Sequence, residues 1–169
     1  MSYTVRPMMA TDARLIAHWH YPEPYGFYDL DRDPEDYQKL LDFESWPPNT
    51  KFSVTDPDGE LTGFFEFATS DGITDIGLGL RPDKSGMGLG QQFLQIGLSF
   101  ALGRFHPRQF RLKVAAFNQR AITVYERAGF KTTRMFKQKT NGALYDFIEM
   151  QSDLKNLLAL PGSSEGARS

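Results

Sequence analysis

The sequence predicts a mixed α/β (α+β) fold in which a central twisted sheet of about seven strands is flanked by about four helices. The length of 169 residues is that of one ordinary domain. Strand-like and helix-like patterns follow the order strand, two helices, three strands, helix, strand, helix and two strands. Near the centre of the chain, a strand, a glycine-rich turn and a helix follow one another directly. This order requires crossover helices between strands of a mixed sheet.

The composition is that of an ordinary globular protein. Hydrophobic residues make up 40% of the chain, charged residues 24%, and the net charge is -2, which excludes a disordered chain and a strongly basic nucleic-acid binder. The absence of cysteine excludes a disulfide framework and a thiol nucleophile, and fits a reducing compartment. There is no leader-like start and no apolar run near the ~20 residues of a membrane helix. We therefore expect a cytoplasmic protein with neither nucleic-acid nor membrane partners.

The N-terminal third is predicted to form one strand and two helices separated by an aromatic loop. Residues 3–9 are strand-like, although their proline confines the strand to a sheet edge or cuts it short. Thr11 and Asp12 have the chemistry of an N-cap and an acidic first turn for the first helix. Residues 21–28 contain two prolines and a glycine and form a loop. Residues 33–36 begin the second helix with an N-cap, a proline and two acids.

The remaining chain alternates strands with two further helices. Strands are predicted over residues 51–55, 61–68, 74–80, 110–116, 131–138 and 143–150. Helices are predicted from Leu89 to an end near residues 103–107, and over residues 118–128. We assign residues 1–152 to a single domain. Residues 153–169 form a C-terminal extension whose last, small and polar residues are expected to be disordered.

Residues 76–91 have the chemistry of a phosphate-binding segment. Glycines after a strand allow the backbone to approach an anion closely, and the next helix offers unpaired N–H groups and the positive end of its dipole. A Rossmann fold would place this loop after the first strand of a repeating βαβ unit, with an acid about twenty residues further on. That context is absent, so a dinucleotide site is excluded.

Two segments resemble the GNAT superfamily of acyl-CoA-dependent N-acyltransferases. Residues 81–90, Arg-Pro-Asp-Lys-Ser-Gly-Met-Gly-Leu-Gly, are similar to the family's Gln/Arg-x-x-Gly-x-Gly/Ala coenzyme A loop, with Ser85 in place of the usual Gln or Arg. Residues 118–130 resemble the family's Asn-x-x-Ala-x-x-x-Tyr-x-x-x-Gly-Phe segment. The order of elements over residues 3–150 is similar as well. The resemblance therefore implies a GNAT-like sheet with flanking helices.

The resemblance implies acetyl-CoA as the cosubstrate and no metal. Strand backbone groups of Leu78, Gly79 and Leu80 would bind the acetyl and pantetheine portion. The residues that would bind the pyrophosphate are Gly86, Met87, Gly88, Leu89, Gly90 and Gln91. Asn118 would contact the pantetheine arm.

The implied reaction is acetyl transfer to a primary amine by direct attack in a ternary complex. Tyr125 would be the general acid that protonates the departing thiolate, the alternative being a core aromatic residue with a satisfied hydroxyl. Asp75 and Glu66 are the candidate bases, and either could instead be a solvated strand residue. For Glu66, apolar neighbours are expected to desolvate the carboxyl and raise its pKa. A backbone N–H near Leu80 is the expected oxyanion donor.

The residues Trp19, Glu23, Tyr25 and Tyr28 lie where the family forms one wall of its acceptor pocket. Carboxylates outnumber cations around them, which fits either an ordinary solvated face or attraction of a cationic amine. The expected partner is therefore a small-molecule or peptide amine, with a cationic amine as the sharper hypothesis. Exposed strands are compatible with a homodimer.

A metal site and a non-catalytic binding function are the two alternatives to a metal-free enzyme. His18 and His20, two positions apart on a helix, would point to opposite faces, so no metal site is predicted. A non-catalytic acyl-CoA-binding sensor or interaction module on the same fold is the alternative function. Tyr125 argues mildly against it, since a binding protein has no need of a general acid.

Overall fold

A computed structural model describes residues 2–154 of the chain, and the predicted disorder of the last residues lies outside this range. The described elements are β1 (Thr4–Pro7), α1 (Ala10–Ile16), α2 (Pro34–Leu41), β2 (Lys51–Thr55), β3 (Leu61–Ser70), β4 (Ile73–Leu80), α3 (Gly90–Phe105), β5 (Gln109–Ala115), α4 (Gln119–Arg127), β6 (Lys131–Thr140) and β7 (Ala143–Asp153). The predicted α/β fold of seven strands and four helices is confirmed. Over residues 2–154, none of the helices combines the length and apolar character needed to cross a bilayer.

The seven strands form one mixed sheet in the order β1-β2-β3-β4-β5-β7-β6. β2 pairs antiparallel with β1 and with β3, and β5 pairs antiparallel with β7. β4 and β5 are parallel, and their register runs from Ile73 opposite Gln109 to Asp75 opposite Arg111. A parallel pair needs a crossover connection, and α3 lies in the chain between these two strands.

The chain divides into two compact units whose boundaries fall within strands β3, β4, β6 and β7 and in the turn before α3. The first unit comprises residues up to Glu66 together with Leu78–Met87 and Lys139–Leu144. The second unit comprises Phe67–Gly77, Gly88–Gln138 and the residues from Tyr145 onward. A single domain over residues 1–152 stays a prediction.

The first unit contains an apolar cluster built mainly from its two helices. The buried members are Met8, Ala13, Ile16, Ala17 and Leu40, and partly buried residues including Trp19, Tyr37, Phe43, Trp46 and Phe64 pack against them. The second helix, α2, begins as predicted. The Asp33 carboxylate accepts hydrogen bonds from the N–H groups of Glu35 at 3.0 Å and Asp36 at 3.2 Å.

The start of α1 corrects the prediction, because Met9 and not Thr11 is the N-cap residue. Asp12, in the first turn, accepts a hydrogen bond from the Met9 N–H at 2.9 Å. It also accepts from Arg6 at 2.6 and 3.0 Å and from Ser53 Oγ at 2.9 Å. Burial alone would raise the pKa of Asp12, but these donors outweigh it and hold the pKa below its usual range. This buried carboxylate therefore ties β1 and β2 to α1.

The second unit buries one face of α3. The buried residues of this helix are Phe93, Leu94, Gly97, Leu98 and Ala101. Phe67 of β3 stacks on Phe100, with ring centroids 6.0 Å apart. The helix ends in the predicted region, because His106 adopts a left-handed φ of 50° after Phe105.

Replacing Asp12 by asparagine is expected to lower the free energy of unfolding by about 2–4 kcal/mol at pH 7, since the change leaves Arg6 beside a neutral group. The pKa of Asp12 is lower in the folded than in the unfolded protein. Its stabilisation is therefore present above the unfolded pKa of about 3.9 and is lost as pH falls through the folded pKa. Urea denaturation at several pH values measures both effects.

The matched control is Asp58→Asn in the exposed turn between β2 and β3, which should change stability by less than about 0.5 kcal/mol. If Asp12→Asn were as stable as the parent protein at pH 7, the assigned role of this carboxylate would be refuted.

Candidate functional site

The predicted acyl-binding residues Leu78, Gly79 and Leu80 are half-buried and end strand β4 in the first unit. The N–H of the next residue, Arg81, donates to the Thr62 carbonyl at 2.8 Å. The Leu80 carbonyl accepts a hydrogen bond from the Tyr21 hydroxyl at 2.6 Å. The carbonyl of Leu80 and the N–H of Arg81 are therefore both bonded within the protein.

Gly79 allows an aromatic ring to lie directly against β4. A Cβ atom at this position would lie 2.4 Å from Cε1 and 2.8 Å from Cζ of Phe64. Phe64 also packs against Trp19, one of the predicted acceptor residues, with ring centroids 6.2 Å apart. Trp19 thus belongs to the wall of the apolar cluster as well as to the candidate acceptor region.

The glycine turn after β4 is closed by Ser85. The Ser85 N–H donates to the Arg81 carbonyl at 3.1 Å, and its Oγ donates to the Pro82 carbonyl at 2.8 Å. Gly86 follows with a φ of 72°, which favours glycine, and Met87 is 64% exposed. The serine that stands in place of the family's Gln or Arg therefore stabilises the turn through both its N–H and its hydroxyl.

In the second unit, the predicted anion-binding residues Gly88, Leu89, Gly90 and Gln91 form the start of α3. Gly88 has a φ of 77°, and the N-cap residue Leu89 contributes no side-chain hydrogen bond to the helix. The first-turn N–H groups thus lack a side-chain cap and can donate to an anion. A Cβ atom at Gly90 would lie 3.3 Å from a methyl group of Val124, so glycine lets α3 begin close to α4.

Helix α4 carries the two predicted residues of the second motif. Asn118 is buried and its Oδ1 accepts a hydrogen bond from the Ala121 N–H at 3.1 Å, so it is the N-cap of this helix. Tyr125 is 9% exposed, and its ring meets that of Phe130 edge-on with centroids 6.1 Å apart. Packing therefore restrains the ring of the predicted general acid.

Both predicted base candidates are ion-paired. In the second unit, Asp75 binds Arg111 of β5 through two hydrogen bonds of 2.5 and 2.8 Å. In the first unit, Glu66 pairs with Lys51, its cross-strand neighbour on β2. The Glu66 side chain is 49% exposed, so the expectation that apolar neighbours desolvate it is wrong. Its sequence neighbours Phe65 and Phe67 point to the opposite side of the strand and are buried.

Residues 19–33, which we call the acceptor segment, contain the other predicted acceptor residues. Glu23 forms an ion pair with Arg32 at 2.5 Å. A Cβ atom at Gly26 would lie 2.6 Å from Glu23 Oε1, so this pair passes directly over the glycine. Tyr25 and Tyr28 are half-buried ends of one short 3₁₀ turn. The charge of Glu23 is thus largely balanced inside the segment.

A polar cluster of His20, Asp29 and Asp31 lies in the same segment. The hydrogen bond from His20 Nε2 to Asp31, 2.6 Å long, is the main cause that raises the pKa of His20. Asp29 is buried and accepts a hydrogen bond from the Tyr21 N–H at 2.9 Å. One potential ligand atom from each of the three residues lies within 4.8 Å of the others. These contacts stabilise the loop, and the absence of a metal stays a prediction.

The acceptor segment is also attached to the turn between β6 and β7. Asp33 accepts hydrogen bonds from the Asn141 N–H at 3.0 Å and from Thr140 Oγ1 at 3.4 Å. The Asn141 side chain donates to the Phe27 carbonyl at 2.9 Å. The Asn141 N–H is the main cause that lowers the pKa of Asp33. Sequence reasoning missed these contacts and that of Tyr21, because their partners are far apart in the chain.

Known proteins resemble this chain in sequence. A family profile described as Acetyltransferase (GNAT) domain matches residues 3–131. A mycothiol acetyltransferase from Streptomyces coelicolor is 33% identical over 138 residues, which cover 78% of this chain and 42% of that protein. A mycothiol acetyltransferase from Streptomyces avermitilis is 35% identical over 127 residues, which cover 73% of this chain and 38% of that protein. The chain spans about two-fifths of the length of these relatives.

A solved structure resembles the chain in fold. Spermidine N-acetyltransferase from Vibrio cholerae, in complex with CoA and spermine, superposes with a TM-score of 0.74. The superposition covers 92% of this chain and 98% of that chain at 19% identity. At this identity the similarity shows the fold and does not by itself transfer a substrate.

The contact at Gly79 predicts a specific pair of mutational effects. Gly79→Ala is expected to destabilise the protein by about 1–3 kcal/mol, because the new methyl group overlaps the Phe64 ring. Combining it with Phe64→Leu should cost less than the sum of the two single changes. Chemical denaturation of the two single variants and the double variant measures the coupling.

Gly103→Ala is the control, since a Cβ atom there meets no other atom within 4 Å. In the interior of α3 this change should be neutral or stabilising by up to about 1 kcal/mol. Additive effects of the changes at residues 79 and 64 would show that the assigned overlap does not govern stability.

Proposed function

Since the chain belongs to the acetyltransferase (GNAT) domain family, we propose that it transfers an acetyl group from acetyl-CoA to a primary amine by direct attack in a ternary complex. The observation that carries the proposal is the start of α3, within the matched residues, where a glycine turn leads into a helix without a side-chain cap. Such a helix start suits the pyrophosphate of coenzyme A.

For the donor, we propose that residues 86–91 bind the pyrophosphate. Gly86 and Gly88 both have a positive φ, and Gly88 leads into the first turn of α3, whose uncapped N–H groups can converge on one anion. Each contact at a helix end is worth only about 0.3–1 kcal/mol, so binding requires several together. Leu78, Gly79, Leu80 and Asn118 are proposed to bind the acetyl and pantetheine portion.

In the proposed reaction the amine nitrogen attacks the thioester carbonyl carbon. Charge develops on the carbonyl oxygen, which the Leu80 N–H would stabilise. The carbon–sulfur bond then breaks, and the thiolate takes the proton of the Tyr125 hydroxyl. The amine loses one proton to a base, so the products are an amide and coenzyme A.

The base remains a choice between two carboxylates, of which we favour Glu66. Asp75 has both of its oxygens occupied by the guanidinium group of Arg111. Glu66 pairs with Lys51 through Oε1, and its side chain is half-exposed and accessible to water. We propose that Glu66 accepts the proton through a water molecule.

The acceptor is proposed to be a small-molecule or peptide amine, with a cationic amine favoured. Desolvation is the main cause that raises the pKa of Asp36, and the negative charges of Asp33, Glu35 and Glu66 add to it against the opposing charge of Lys39. These four carboxylates of the first unit would together attract a cation. The related proteins are named for mycothiol and for spermidine. Spermidine and the amine substrate of mycothiol acetyltransferases are therefore the first acceptors to test.

We further propose that residues 1–152 act as one domain in the cytoplasm, where acetyl-CoA is available, and that the chain forms a homodimer. The alternative is an acyl-CoA-binding sensor or interaction module on the same fold. A panel of amines distinguishes the two functions through coenzyme A release, measured with a thiol reagent. The chain has no cysteine, so the protein contributes no thiol to the signal, and for an acceptor that itself carries a thiol the loss of the thioester absorbance is followed instead. Coenzyme A binding without release on any amine would support the sensor.

Tyr125→Phe is expected to lower kcat by about 10²-fold or more, because the variant cannot protonate the leaving thiolate. The KM for acetyl-CoA should change little, since the ring is retained. Steady-state kinetics with a saturating amine, and coenzyme A binding by calorimetry, test this expectation.

Tyr145→Phe, at the surface of β7, is the matched control and should keep the parent kcat. If Tyr125→Phe turned over at the parent rate, Tyr125 would be a packing residue and another group would have to supply the proton.

A further inference from the structure

Tyr21 joins the acceptor segment to strand β4. Its N–H donates to Asp29 within the segment at 2.9 Å, and its hydroxyl donates to the Leu80 carbonyl, 59 residues away in the chain, at 2.6 Å. A tyrosine side chain has few torsion angles to restrain. With both ends bonded, the ring is a rigid connection between the two parts of the first unit.

The Tyr21 hydroxyl lies at a defined edge of β4. In a strand, the N–H and C=O of one residue point to the same side, and those of the next residue point to the other. The Arg81 N–H is directed to Thr62 of β3, so the N–H and C=O of Leu80 face away from β3. The hydroxyl on the Leu80 carbonyl is therefore on the same edge as the Leu80 N–H, the proposed oxyanion donor.

The peptide between Leu80 and Arg81 is restrained at both of its polar atoms. Its carbonyl is bonded to Tyr21 and its N–H to Thr62. The Arg81 side chain adds a bond to the Leu61 carbonyl at 2.9 Å. Rotation of this peptide would break these bonds, so the direction of the adjoining Leu80 N–H is restricted.

We propose that Tyr21 is a positioning residue for acyl transfer, which holds the end of β4 so that the Leu80 N–H points at the thioester oxygen and which fixes the acceptor segment to that strand. The inference rests on the proposed acetyl transfer. Burial, with a further contribution from Asp29, raises the pKa of the Tyr21 hydroxyl. The hydroxyl therefore stays protonated across an ordinary assay range and keeps its proton directed at the Leu80 carbonyl.

The test is Tyr21→Phe in the full chain, compared with Tyr37→Phe, which removes a hydroxyl from a half-buried tyrosine of α2 in the same unit. For Tyr21→Phe, kcat should fall about tenfold, as expected when one carbonyl loses its donor and the peptide loosens. The KM for acetyl-CoA and the shape of the pH–rate profile should not change. Hydrogen exchange of the Arg81 amide should become faster. Tyr37→Phe should leave all these quantities unchanged.

The outcomes separate this inference from the proposed function. If the parent protein transfers acetyl groups and Tyr21→Phe keeps its kcat, the positioning role is refuted. It is also refuted if both variants lose activity in parallel with a fall in Tm, since that indicates a general loss of packing. If the parent protein acetylates no amine, the proposed function fails. Even in that case, unchanged hydrogen exchange of the Arg81 amide in Tyr21→Phe would show that Tyr21 does not restrain this peptide.

Discussion

The hydrogen bonds at the peptide between Leu80 and Arg81 determine where β4 ends and the glycine turn begins. Thr62 binds one side of this peptide and Tyr21 the other. Because both polar atoms are satisfied, the chain leaves the strand in one direction only. The Ser85 hydroxyl then closes the turn by donating to the Pro82 carbonyl, so the glycines that follow start from a fixed point. The position of the candidate anion-binding residues thus depends on contacts made by residues that precede Gly86 in the chain.

The fold was predictable because its signals are local. The cap at Asp33, the proline after it and the turn residues between β2 and β3 each act within a few positions of the chain. The start of α1 was mispredicted for the opposite reason. Thr11 has the right side chain for a cap, but Asp12 is recruited by Arg6 and Ser53 from two strands, and this tertiary network sets the helix start.

The candidate site could be predicted only in part, since motifs specify backbone shape better than charge pairing. The glycine turn, Asn118 and Tyr125 lie on the elements that their motifs implied. The carboxylates behave differently, because their partners are set by strand register and loop path. Glu66 meets Lys51 only through the pairing of β2 with β3, and Asp75 meets Arg111 only through the parallel pairing of β4 with β5. Residue spacing along the chain contains neither register.

The internal ion pairs of the acceptor segment bear on how an amine could react there. An alkylamine with a pKa of about 10.4 is neutral in only about one molecule in a thousand at neutral pH. Negative charge that attracts the cation also stabilises its protonated form, and so opposes the deprotonation that attack requires. The pairs of Glu23 with Arg32 and of Asp31 with His20 moderate this charge locally. For the proposed cationic acceptor, the carboxylates around Asp36 would supply attraction at longer range. Such an arrangement would separate attraction of the amine, which needs long-range negative charge, from its deprotonation, which is easier where negative charge is locally balanced.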